Sequence, residues 1–232
     1  MSQVSTGGPR QRIGTTSAAI LGLLAAQPGT AYALAQRMKR NHHFIWPRAE
    51  SKLYEEVKRL QRVGLVTVQR GSTGRRQHSV YRISARGRRA LALWSKQPSS
   101  EPSLSFEALV KLAYADFGTV ADARAHIASV QKHAEQMVAL GRELAARYLD
   151  DAVELPERAH TNVLVWRFLA AQYRAMLDWA YSADAIVAAW DGTRPSPYNR
   201  KLTRKLFGEG LAILQADAPR RVRKTQRASP VK

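Results

Sequence analysis

Apolar residues recur at helical spacing in three short stretches before residue 65 and then change to the tighter pattern of strands. Ile20, Leu21, Leu23 and Leu24 predict a first helix, with Thr15-Thr16-Ser17 offering N-cap side chains and Gln27-Pro28-Gly29 stopping it. Thr30 is placed to cap a second helix from Tyr32 to about Arg40, with Leu34 and Met38 on one face. Pro47 suits the first position of a third helix, Glu50 favours the positive end of its dipole, and Leu53, Val57 and Leu60 mark a buried stripe. Gly64 is suited to a left-handed C-cap there. Leu65 to Arg70 and Val80 to Ser84 predict two short strands separated by a polar loop over residues 71–79. A lone two-stranded ribbon is marginal, so it must lie against the helices.

The second half is helical by the same reading. Leu104, Ala108, Leu112 and Ala115 align over a predicted helix at residues 104–117, broken at Gly118. From Ile127 a narrow seam runs through Val130, Ala134, Met137, Gly141, Leu144 and Tyr148 at alternating spacings of three and four, which suits pairing with another helix. A third helix, about Pro156 to Trp190, is apolar nearly all round and therefore needs burial from several sides. The polar stretch Ser95 to Ser103 reads as a connector. The expected organisation is a loose N-terminus at 1–12, a domain of helices and a ribbon at 13–97, a helical dimerisation domain at 98–190 and a basic, partly disordered tail at 191–232.

Charge decides what the first half meets. The 232-residue chain has a formal net charge of +19. By segment, residues 1–98 hold 18 Lys+Arg against 3 Asp+Glu, residues 99–191 hold 8 against 13, and residues 192–232 hold 11 against 2. Localised positive charge points to a polyanion, nucleic acid first. Three helices followed by a cationic hairpin have the layout of a winged helix-turn-helix, in which one helix enters the major groove. With the Leu53 stripe turned inward, Ser51, Lys52, Glu55, Lys58, Arg59 and Arg62 fall on exposed positions and Arg48 in the first turn. A cation there opposes the helix dipole, so Arg48 reads better as a phosphate or guanine ligand.

The run from Trp46-Pro47-Arg48 through Lys52-Leu53-Tyr54 to Leu60, followed by Gly64-Leu65-Val66, resembles the recognition-helix signature of PadR-like transcriptional regulators. Ile20 to Leu24, Gly29 to Leu34 and Tyr81-Arg82-Ile83-Ser84 with Gly87 resemble the same family, which commonly has Pro where this chain has Glu55. The resemblance implies a homodimeric repressor that binds an inverted-repeat operator in double-stranded DNA and, as many of the family do, is released by a small aromatic or amphipathic effector. By position it implies DNA contacts from Tyr32, Ser51, Lys52, Tyr54, Arg75, Arg76 and His78, and the exposed register of the third helix adds Lys58. It also implies an effector site near Trp94 and Leu91 on a fourth helix.

Several classes are disfavoured. The chain has no cysteine, its His residues are scattered, and dinucleotide, phosphate-loop and nucleophile-elbow motifs are lacking, so no enzyme, metal or cofactor is expected. No apolar run approaches a membrane span and the chain starts without an apolar signal region, which fits the cytoplasm. Residues 199–214 repeat a basic amphipathic pattern whose partner the sequence leaves open. A sequence-indifferent architectural DNA-binding protein remains the alternative to a specific regulator.

Overall fold

The computed structural model describes residues 12–73, 76–150 and 158–216. The chain divides into two compact units, 1–103 and 104–232. The expected loose start and the basic end beyond Ala216 lie outside the described residues.

The first unit contains α1 (Thr15–Ala26), α2 (Ala31–Asn41), α3 (Glu50–Arg62), β1 (Val66–Thr73), β2 (Arg76–Ile83) and α4 (Ala85–Trp94). Its core joins Ile20, Leu21 and Leu24 of α1, Leu34 and Met38 of α2, the α3 stripe, Leu65, Val66, Tyr81 and Ile83. The Thr30 hydroxyl accepts the Ala33 N–H at 3.1 Å, as its N-cap position requires. The expected cap of α1 is not formed: Gly14 stands at the N-cap without a side-chain bond. The hydroxyls are engaged elsewhere, Thr16 accepting from Trp46 Nε1 at 2.9 Å and Ser17 donating to Glu56. Nor does α3 begin at Pro47; it begins at Glu50 after an extended Ala49, which leaves Pro47 and Arg48 in the preceding loop. Gly64 does close α3, with φ at 71° and the next N–H, of Leu65, reaching Leu60 O at 2.9 Å.

The strands are longer than their apolar cores suggest. They pair antiparallel from Val66 with Ile83 out to Thr73 with Arg76, so most of the expected 71–79 loop is ladder. The inner end is tied to the helices, because Gly29 and Tyr81 exchange backbone bonds of 2.9 and 3.2 Å. At the start of α4 the Ser84 hydroxyl donates to Gly64 O at 2.8 Å and accepts Gly87 N–H at 3.0 Å. Gly87 must be a glycine, since a Cβ there would lie 2.1 Å from Leu65 O.

The second unit contains α5 (Glu107–Ala113), a 3-10 turn at Ala115–Phe117, α6 (Val120–Leu149), α7 (Ala159–Ala188) and α8 (Pro197–Ala216). Helix α5 is shorter than expected, and Leu104 lies outside it and exposed. A capping box, Thr119 with Asp122, starts α6. The α6 seam packs along α7 of the same chain, burying Ile127, Val130 and Ala134. Trp166 donates its indole N–H to Gly141 O at 3.0 Å where the helices meet. Helix α7 is not buried from several sides within the chain: it buries Tyr173, Ala180 and Val187, whereas Leu164 and Phe168 are exposed.

Candidate nucleic-acid interface

Burial of Leu53, Val57 and Leu60 fixes the rotation of α3 and determines what solvent sees. Directly opposite, Ser51, Glu55, Lys58 and Arg62 follow at spacings suited to one face, and all four are exposed. Lys52 lies on the adjoining flank, exposed, with its ammonium 3.0 Å from Glu55. Both groups are well solvated, so this pair is worth under about 1 kcal/mol and yields readily to a phosphate or a base edge.

Arg48 is aimed by the loop rather than by helix dipole. Its guanidinium lies 4.2 Å above the Trp46 ring and donates to Pro47 O at 2.8 Å, while Trp46 is held to α1 through Thr16. An open cleft of about 600 Å³ follows, lined by Arg48, Lys52, Arg59 and Arg62 with Glu55, Glu56 and Thr16. Of its four cations, Arg59 is not free to bind outward. It donates from Nε to Glu56 at 2.8 Å and from Nη2 to Ser17 Oγ at 2.9 Å, so the expectation of an exposed Arg59 is corrected. The Arg59 guanidinium lowers the Glu56 carboxyl below its ordinary value, against the opposing effect of burial and with a smaller contribution from Ser17. This buried-side network fastens α3 to α1, and it was missed because nothing in the local α3 pattern distinguishes Glu56 from Glu55.

The remaining expected residues fall in three places. Tyr32 is exposed in the first turn of α2. Tyr54 is half-buried and packs against the core. On the ribbon, His78 stands opposite Gly71, and its ring lies so close that a Cβ at Gly71 would meet it at 3.0 Å. Arg76 pairs with Thr73 in the ladder, whereas Arg75 and the Arg76 side chain lie outside the described residues. Arg70 and Arg82 add exposed cations to the same ribbon. Leu91 and Trp94 are half-buried on α4 and pack against the core of the first unit. Among the described residues no cluster of His, Asp and Glu could hold a metal ion. No described helix is long and apolar enough to cross a membrane.

Residues 20–93 match the transcriptional regulator PadR-like family, so the resemblance carried by α3 and its surroundings is shown over this unit. A probable transcriptional regulator of Mycobacterium tuberculosis is 26% identical over 175 residues, covering 69% of this chain and 91% of that one. The crystal structure of Bacillus subtilis PadR in complex with operator DNA is similar with a TM-score of 0.66 at 17% identity, covering 76% of this chain and 99% of that chain. The same Bacillus subtilis protein in complex with p-coumaric acid has a TM-score of 0.58 at 18% identity, covering 74% and 98%. At these identities the solved structures show the fold: a PadR winged helix followed by a helical region.

Proposed function

We propose that this PadR-like regulator is a homodimeric repressor that binds an inverted-repeat operator through α3 and the ribbon and is released by a small aromatic effector. The observation that carries the reading is the outward face of α3, with Ser51, Lys58 and Arg62 in line and Lys52 and Arg48 beside them, on a helix whose rotation the core fixes. Side chains near the start of a helix laid in the major groove reach base edges, so Ser51 and Lys52 specify sequence. Tyr32, Tyr54 and Lys58 take phosphates, and Arg75, Arg76 and His78 hold the flanking backbone.

Residues 98–190 serve dimerisation, and a two-fold pair then spaces its half-sites by about 10 base pairs or a multiple of that. The complex of a structural relative with p-coumaric acid supports an aromatic effector, which we assign to the neighbourhood of Leu91 and Trp94. A DNA-binding role fits the cytoplasm.

Sequencing the DNA retained by purified protein tests this reading. Recovery of a dyad motif bound roughly a thousandfold more tightly than bulk DNA is expected. Retention of unrelated fragments would instead favour an architectural protein. Adding p-coumaric acid as a probe to the operator complex, with its release followed, tests the effector part.

A further inference from the structure

Two helices of the second unit carry heptad lines that none of the described residues covers. On α8 Arg200, Arg204, Phe207, Leu211 and Leu214 follow at spacings of four, three, four and three, and all are exposed. Phe207 is 76% and Leu214 78% accessible, too much apolar area for a helix with no neighbour on that side. A different side of α8, marked by Leu202 and Leu206, is less exposed. On α7 the positions Leu164, Phe168, Ala171, Ala175 and Asp178 repeat the same spacing and are also exposed. They lie on the side opposite Tyr173 and Ala180, which α7 buries within the chain.

The two lines complement each other in one direction. Run antiparallel, Leu214 and Leu211 meet Leu164 and Phe168, the large Phe207 falls on Ala171, and Arg200 reaches Asp178, an exposed carboxylate that Arg174 of its own helix holds at 3.0 Å only by a solvated pair. A parallel arrangement would set Arg200 on Leu164 and Leu214 on Asp178. Ile213 is exposed off the line as well, but a four-three register that ends in Arg200 and Arg204 and matches the one on α7 suits a partner helix. The charge agrees: residues 192–216 hold five Lys+Arg and one Glu, whereas residues 99–191 are net negative.

The start of α8 is pinned. Ser196 Oγ donates to Asp191 at 2.8 Å, Asn199 Nδ2 to Gly192 O at 2.9 Å, and Thr193 Oγ1 to Gly118 O at 2.9 Å. These bonds anchor the first turn of α8 to the loop before it and to the end of the 3-10 turn, while the heptad line stays exposed. We propose that α8 of one copy packs antiparallel on α7 of a second copy through these lines, and reciprocally, so that each subunit clasps the other. The proposal rests on the homodimer reading and adds the surface and register that would hold it.

The chain has no native cysteine, so Leu214→Cys and Leu164→Cys can be made separately in the full chain, both at exposed positions. After mixing, subunit exchange and mild oxidation, the pair should give at least ten times more covalent dimer than either variant alone. Arg200→Asp and Asp178→Arg should each weaken the dimer, and their combination should restore it. If sedimentation still shows a dimer but the mixture gives no covalent product, the α8–α7 pairing is wrong and the homodimer reading survives. Cross-linking confined within one chain, or capture by phosphatidylglycerol vesicles that Phe207→Asp abolishes while the dimer persists, would likewise overturn it. A monomer in sedimentation would sink the homodimer reading itself.

Discussion

The two units spend their apolar residues differently. In the first, three helices and a ribbon close around one core that runs from Ile13 to Ile83. In the second, α6 and α7 share a seam around Ala123, Ile127, Ala180 and Val187, while Leu164 and Phe168 of α7 and Phe207 and Leu214 of α8 are left in solvent. A closed core fixes the rotation of α3 and therefore which side chains are offered to DNA. An open helical pair fixes less by itself, and in the homodimer proposed above a second copy would complete it. On that proposal rigidity for recognition and incompleteness for assembly belong to separate parts of one chain.

Gly87→Ala should strike hardest at the closed unit. The new methyl would sit 2.1 Å from Leu65 O, a backbone atom that also accepts Ser84 N–H at 3.1 Å and has no room to retreat. A destabilisation of about 3 kcal/mol is expected in urea unfolding. An unchanged midpoint would mean that the α4 start is as loose as the second unit.

The next effect falls on DNA and divides the interface itself. If Lys52 makes the base contact proposed above, Lys52→Ala should reduce discrimination between operator and random DNA by about 1–3 kcal/mol. Arg75→Ala with Arg76→Ala should weaken both and lower the salt slope by about two. A double variant that kept its slope and lost only operator preference would assign base reading to the ribbon. Binding measured across a salt series decides between them.

How much of this was legible follows the range of the interactions. The stripe Leu53, Val57 and Leu60, the Thr30 cap and the Gly64 turn depend on neighbours within a few residues, and the sequence displays them. Contacts between distant residues it does not. The hydroxyls of Thr16 and Ser17 look like helix caps until Trp46 and Glu56 arrive from 30 and 39 residues away. Pro47 looks like a helix start until Trp46 is held to α1. The ribbon continues through Gly71, Ser72 and Thr73 because an antiparallel partner satisfies their backbone, whatever their propensity. On the interface, the outward line of Ser51, Lys58 and Arg62 was readable from the α3 stripe, but the withdrawal of Arg59 into a network with Ser17 was not.

Gly141 tests the open unit as Gly87 tests the closed one, with the opposite sign. It too sits in a helix and close to a bulky neighbour, yet a Cβ there would meet only Trp166 Nε1 at 3.8 Å, an ordinary contact. The indole bond goes to the Gly141 carbonyl and survives the change. Gly141→Ala should therefore raise stability by up to about 1 kcal/mol through helix propensity alone. A loss of stability would show that α6 and α7 are packed as tightly as the first unit.

The smallest expected effect is in the pH dependence of the α1–α3 fastening. Glu56 is bound by Arg59 and Ser17 in the folded chain and by water in the unfolded one, so its carboxyl is more acidic when folded. A depressed carboxyl contributes stability that is fully present above its unfolded value, about 4.3, and is lost as the pH falls through the folded value. Because Arg59 is partly solvated, the contribution is at most about 1 kcal/mol. Glu56→Gln keeps the shape but removes the charge, so its stability should change less with pH between about 5 and 3 than that of the parent protein. The second unit offers the control, since Asp184 pairs with Arg124 in a more open setting and Asp184→Asn should flatten the curve less. Equal flattening by the two variants would mean that the Glu56 network is no more sheltered than a surface pair, and that apolar burial alone sets the rotation of α3.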